Sequence, residues 1–460
     1  MFWLIIRSLP VPEISNDPDN AVRARLLQFA KNAGAQDADV IAVRAQNLDV
    51  SVRKGVIEDA SRAESFGIGL RIFKGHKSAY GSSADASDEG LKRLAQQVAD
   101  MADAVPEDKF ARLATAAESA TTWPDLDLCD DAAPLDVKAL AAMAKQAEDV
   151  ALSQKGITNS DGASAGQGVH WLGITSSNGF NGAYAHSSSF LSLSVIGGKG
   201  DAMETDHAST SATYAADLEA PEVVGLRAAA RTVARLNPRT GKTGSFPIVF
   251  DRRVSSSLLR TLSRVVSGPR LAKGTSFISG KLGEKIFSDS VTVIDDPLKL
   301  RGLRSGPFDA EGLPVMRRAI VEAGILKSLF LDLRSAARLD LPPTGHATRG
   351  LSSPPGPAPS NLWIEAGAQS VEDMVAAIGD GFLVTDLMGA SISLSTGDYS
   401  RGASGFWVEG GKIAYPVSEM TIAGNLKDMF LRITPASDLE FRDGIDAPSL
   451  LIEGMVTASR

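Results

Sequence analysis

Residues 37 to 83, "DADVIAVRAQNLDVSVRKGVIEDASRAESFGIGLRIFKGHKSAYGSS", alternate apolar and polar side chains between turn residues. A period of two over so long a run predicts strands joined as an antiparallel meander, with one face buried and one face wet. Just before it, "AVRARLLQFAKNA" (21 to 33) places Val22, Leu26, Leu27 and Ala30 on one helical face, and Gly34 sits where that helix must stop. Just after it, "DEGLKRLAQQVADMA" returns to helical spacing. Residues 20–110 therefore form a helix, meander, helix unit.

A loop rich in Pro, Asp and Thr (104 to 134) leads to a second helical run, "LDVKALAAMAKQAEDVAL". From Gly156 to Thr213 the chain is strand-like and rich in Ser and Gly, and it closes with the helix "PEVVGLRAAARTVARL". This middle α+β segment, 111–240, completes one N-terminal domain with the first. A third segment, 246–460, opens with the strand "FPIVF" and contains two strands joined at Ala323 and Gly324. Beyond the Pro-rich loop "SSPPGPAPSN" come the strand "GFLVTDLMG" and the hairpin "SGFWVEGGKIAYPV". The fold class is α+β, in two domains with extensive antiparallel sheet. A chain of 460 residues exceeds what one compact core supports.

The 47 basic and 55 acidic residues are spread without a block of like charge, which excludes a phosphate-binding footprint and so nucleic acid as a partner. The lone cysteine, Cys129, excludes a disulfide framework and any multi-cysteine metal site, and fits a cytoplasmic protein. No stretch approaches the roughly 20 apolar residues of a membrane helix, so no membrane contact is expected. The apolar run Phe2 to Ile6 is too short for a signal peptide and reads as a disordered or strand-like extension.

Three short motifs lack the context their chemistry requires. Gly162, Ser164 and Gly166 match a nucleophile elbow, but polar "ITNSD" precedes them and a strand-like segment follows. Gly241, Lys242 and Thr243 resemble the end of a phosphate loop, yet the first glycine is replaced by Leu236 and a strand follows. In "METDH", strand alternation puts Glu204 and Asp206 on one face and His207 on the other. The five histidines are far apart, so no helical zinc motif with two histidines on adjacent turns exists.

The segments "GPFDAEGLPVMRRAIVEAGILKSLFLDLRSAARLDLPPTGHATRG" and "TGDYSRGASGFWVEGGKIAYPVSEMTIAGNLKDMF" resemble the TldD/PmbA family, the second its PmbA (TldE) branch. The resemblance is specific over 246 to 460 and architectural over 20 to 240. It implies a cytoplasmic protein whose partner is a TldD-like catalytic subunit, the pair forming a heterodimeric zinc metallopeptidase that acts on unfolded or leader-bearing peptides. In the TldD branch an H-E-x-x-x-H helix holds the metal. Alignment back from Gly274 sets Leu259, Arg260 and Arg264 at the first His, the Glu and the second His, and the branch's cysteine ligand falls near Ala447.

None of these side chains binds zinc or takes a proton from bound water. The resemblance therefore implies no catalytic and no metal-binding residue in this chain, with the zinc held by the partner. Val254, Leu258, Leu262, Val265 and Val266 leave an ordinary buried stripe on that helix. The expected contribution of this chain is a surface that holds the peptide extended: Gly397, Gly402 and Gly405 for close backbone approach, Arg401 beside them, and Tyr399, Phe406 and Trp407 for apolar pockets next to a strand edge. A homodimer is expected when the partner is absent. Two rivals stand: an enzyme active by itself through His170, His186 and His207, and a regulatory protein, in line with a reading of this family as modulators of DNA gyrase.

Overall fold

The computed structural model describes residues 17–459, so the apolar run Phe2 to Ile6 lies outside the described residues. Helix α1 (Asn20–Asn32) leads into the meander β1 (Asp37–Arg53), β2 (Val56–Lys74) and β3 (Lys77–Ser83), followed by α2 (Asp88–Ala104). Ser87 caps α2 by accepting the Gly90 amide, with Asp88 and Glu89 in the first turn where the helix dipole favours them. Then come α3 (Val137–Leu152), β4 (Ile157–Ser176), β5 (Asn181–Gly197), β6 (Glu204–Ala212) and α4 (Pro221–Ala234).

The six strands form one antiparallel sheet in the order β3-β2-β1-β4-β5-β6. Side-chain alternation gives its two faces different roles. On one face Val40, Ala42, Ile68 and Leu70 pack against Leu26 of α1 and Leu91, Leu94 and Val98 of α2. On the same face further along, Val50, Val52, Leu191 and Leu193 pack against Leu140 and Ala144 of α3 and Val224 and Ala228 of α4. At full burial each of the larger of these side chains contributes about 1.5–3 kcal/mol of apolar transfer free energy.

The third segment begins with β7 (Gly244–Phe250), α5 (Arg252–Val265) and α6 (Gly268–Ala272), then β8 (Val293–Asp296), β9 (Arg318–Glu322), β10 (Ile325–Leu326) and α7 (Leu333–Leu339). A small ribbon, β11 (Ala347–Thr348) and β12 (Gly356–Pro357), precedes β13 (Asn361–Ile364) and α8 (Val371–Ala377). Next are β14 (Gly381–Ile392), β15 (Asp398–Glu409), β16 (Lys412–Asn425) and α9 (Leu426–Leu431). Strands β17 (Ile433–Pro435), β18 (Ile445–Asp446) and β19 (Leu450–Ser459) complete it. Strands β16-β15-β14-β7-β19 are neighbours in that order, and β16 also pairs with β19 from Met420 to Ala423, so the sheet closes on itself as a barrel. Its interior is filled by Phe250, Phe382, Trp407 and Met420, in a core shared with Leu258, Leu259 and Leu262 of α5. A second sheet, β10-β9-β8-β13-β18, lies beside it.

The third segment docks on the helix-free face of the six-stranded sheet. Phe308 packs edge-on against Phe180 (5.1 Å), Trp123 (4.9 Å) and Tyr184 (5.4 Å), over Ile41 and Ile174. Leu351 fills the notch above Gly67 and Gly69, where its backbone lies so close that a Cβ on Gly69 would stand 2.1 Å from its carbonyl oxygen. Below that notch Arg71 is paired with Asp39 and Glu311, and Arg349 donates to Asp39 at 2.6 Å, all four side chains being buried. This network ties β1 and β2 to two loops more than two hundred residues away.

Candidate functional site

Helix α5 starts where Asp251 accepts the Arg253 amide at 2.9 Å, and Ser255 Oγ donates to the Ala447 carbonyl at 3.3 Å, which holds the helix against the segment between β18 and β19. The positions implied for metal chemistry lie on and beside this helix. Leu259 is 1% exposed in the core, Ala447 is 3% exposed, and Arg260 and Arg264 point to solvent. Two side chains without donor atoms and two guanidinium cations do not fit a zinc ion. Among the described residues no group of three or more His, Cys, Asp and Glu side chains is placed to hold a metal.

The histidines of the rival enzyme do not converge. His170 and His186 are cross-strand neighbours on β4 and β5, whereas His207 pairs with Ser194, eight residues further along β5. At strand rise that is a separation on the order of 26 Å. His186 is spent on the Gly302 carbonyl at 3.2 Å, and burial lowers its basicity. His346 is sealed between Thr344 Oγ1 (2.8 Å) and Asp295 (3.1 Å). Burial, reinforced by Asp130, pushes the Cys129 thiol up, away from the thiolate a metal needs. Ser164 stands within β4, and Lys242 is paired with Glu409 (3.0 Å) and Asp380 (3.3 Å). Neither has the geometry of its motif.

The hairpin surface is corrected by the barrel. Strand β15 is hydrogen-bonded to β14 on one side and β16 on the other, so it has no edge to offer a peptide. Trp407 is fully buried and stacks edge-on with Phe246 at 5.0 Å, Tyr399 is 2% exposed, and both belong to the barrel core. Phe406 faces outward but packs against the α8 cluster of Met374, Val375 and Val408. Gly405 is required by the close approach of β14: a Cβ there would lie 2.0 Å from the Leu383 carbonyl oxygen. Gly397 is buried with φ +90° against Asn425. Gly402 is half-buried beside Met388, and Arg401 donates from Nε to the Gly389 carbonyl at 2.7 Å, where it fastens the end of β14. Glycines and aromatics in one stretch signal close packing in either setting, and sequence alone does not distinguish a barrel interior from a binding face.

A feature open to a ligand is a cleft of ≈ 260 Å³ where β6 and α4 meet the first turn of α5, the middle of β14 and residues 440 to 447. Five arginines line it: Arg231, Arg235, Arg252, Arg253 and Arg442. Asp206, 4% exposed, takes Arg253 at 3.0 Å and Arg235 at 3.7 Å. Asp386 takes Arg235 at 3.4 Å, and Glu440 takes both Arg252 and Arg442 at 2.7 Å. Sequence reasoning missed this site because its arginines come from three separate segments. The available signals were the one-turn spacing of Arg231 and Arg235 and the doublet Arg252-Arg253.

Three family models match the chain: PmbA/TldA metallopeptidase domain 1 over 38–102, the central domain over 130–236 and the C-terminal domain over 243–459. The chain is 37% identical over 435 residues to a protein named Metalloprotease PmbA from Escherichia coli O157:H7, covering 93% of this chain and 94% of that one. It is similar to the crystal structure of a protein described as a modulator of DNA gyrase from Bacteroides thetaiotaomicron, with TM-score 0.89 and 27% identity, covering 97% of this chain and 100% of that one. The fold is shared with TldE from Thermococcus kodakarensis at TM-score 0.83 and 22% identity, covering 95% and 100% of the two chains.

Proposed function

The chain belongs to the PmbA/TldD metallopeptidase family, and we propose that within it this protein is the metal-free subunit of a two-subunit zinc peptidase. The observation that carries this reading is helix α5, which presents Leu259, Arg260 and Arg264 where the catalytic branch is expected to hold its metal and base. A TldD-like partner supplies the zinc and the hydrolytic chemistry. This chain closes the chamber and holds unfolded or leader-bearing peptides in the cytoplasm. Alone, it self-associates through the surface the partner otherwise covers. The interface with the partner is of the lasting kind, burying on the order of 2,000 Å² or more.

Elemental analysis of the purified chain is expected to find no stoichiometric zinc, and peptide cleavage is expected only when a TldD-like partner is added. About one tightly held zinc per chain, or cleavage by the chain alone, refutes the proposal. The gyrase-modulator description of a structural relative favours a regulatory role instead. In that case addition of the partner leaves cleavage unchanged.

A further inference from the structure

The cleft is lined by five arginines and five carboxylates (Asp206, Asp386, Glu440, Asp443 and Asp446), but they are not paired one to one. Asp206, Asp386 and Glu440 are each engaged by arginines, which commits Arg235, Arg252, Arg253 and Arg442. Asp446 is occupied by the backbone amides of Arg442 and Asp443, both at 3.0 Å. Arg231 is left over. It is half-buried on α4, and Nη1 donates to the His207 carbonyl at 3.0 Å. Among the described residues it has no carboxylate within ion-pair distance. Arg442 keeps a buried Nε–H with no acceptor. Burial, and next the positive charge of Arg253, bring Arg231 down to about 10, the direction expected of a guanidinium that lacks an anion. The hydroxyls of Ser209 and Ser211, which also line the cleft, add neutral donors.

We propose that this cleft binds a carboxylate of a peptide, with the guanidinium of Arg231 as its principal partner. A planar fork of donors takes both oxygens of a carboxylate, and partial burial strengthens the contact beyond that of a surface ion pair. The carboxylate comes from either a free C-terminus or an acidic side chain. Asp443, the carboxylate of the lining that no arginine takes, is exposed, so solvent and salt screen its charge. The inference rests on the peptide-handling reading above but fails separately from it, because binding is measured on this chain alone.

The test uses a labelled short Ala/Ser/Gly peptide in three forms: free C-terminal acid, C-terminal amide, and amide with one internal Glu. Fluorescence anisotropy with the full chain is expected to show the acid binding about tenfold more tightly than the amide, a difference that narrows with added salt. Recovery of that affinity by the Glu-containing amide identifies a side chain as sufficient, and failure to recover it identifies the C-terminus as the source. Arg231→Gln should bring acid and amide to the same affinity, while the exposed control Arg93→Gln leaves the difference intact. If Arg231→Gln does not fold, Arg442→Gln is expected to reduce the preference severalfold. Equal binding of acid and amide by the wild-type chain, binding of neither, or an undiminished preference in folded Arg231→Gln overturns the proposal. Zinc in the purified chain would remove the assigned subunit role and leave this result untouched.

Discussion

Gly69→Ala tests how the third segment is held on the sheet. The added methyl would stand 2.1 Å from the Leu351 carbonyl oxygen and 2.9 Å from its Cα, both backbone atoms that cannot rotate away. Restoring ordinary contact moves this loop by about 1 Å or more. Arg349 lies two residues upstream, and its 2.6 Å bond to Asp39 does not survive such a shift. The variant then leaves a buried guanidinium without its anion, a defect that costs about 3–5 kcal/mol, with part of the Leu351 burial lost as well. Trypsin reads this directly, since the bond after Arg349 is protected only while that side chain stays buried. When reclosing outpaces cleavage, the rate follows the open population, so a 4 kcal/mol loss raises it on the order of a thousandfold. Gly75→Ala is the control: Gly75 has φ +61° and open space around it, so only backbone strain of about 1 kcal/mol is added. If Gly69→Ala is cut after Arg349 no faster than the control, the docking described here is wrong.

Gly405→Leu should give insoluble or unfolded protein, because β14 leaves no room for a side chain, whereas Gly402→Leu meets Met388 at 3.3 Å and should lose about 1–3 kcal/mol in a denaturant melt. Comparable stability of the two variants refutes the barrel packing. Arg112, through paired bonds of 2.7 Å, leads the groups that hold Glu118 down at about 2. A lowered carboxyl stabilises above its unfolded value, so its contribution is full above about pH 4.5 and lost as pH falls toward 2. Glu118→Gln should therefore flatten the acid limb of the melting profile in that window, and an unchanged slope refutes it. Single alanine variants of His170, His186 and His207 should leave cleavage by the assembled pair nearly intact, and a hundredfold loss with the fold retained revives the solitary enzyme.

The meander and the helices flanking it were legible as elements from the alternation over residues 37 to 83 and the stripe of Leu91, Leu94 and Val98, but the alternation did not report burial: β2 is exposed on both faces over 56–65 and buried on both over 67–73, where the third segment covers the second face. The buried stripe of α5 was legible from its helical spacing in the same way. Barrel closure was not. The β16–β19 pairing joins segments whose local patterns are complete without each other, and the same "GASGFW" composition serves a packed interior as well as an exposed platform. The glycines at 67 and 69 gave no sign of Leu351, because their requirement is set from across the molecule. The arginine cleft escaped for a related reason: isolated arginines on a chain read as solvated until the fold gathers them.

The barrel's first and final strands are adjacent, with Gly244 opposite Thr457 and Ser245 opposite Val456. The segment's points of entry and exit are therefore about 5 Å apart. In topological terms it is a cassette: its ends could be spliced together and new ones opened at the Gly410-Gly411 turn with every strand keeping its neighbours. The same closure imposes a kinetic order. Pairing of β7 with β19 spans roughly two hundred residues, a separation of the kind that makes folding slow, whereas the six-stranded sheet joins two meanders of short reach through the single β1–β4 pairing, whose span is shorter, so the barrel is expected to close after the sheet. The earlier-formed sheet then presents its glycine notch as a mould on which the late domain sets.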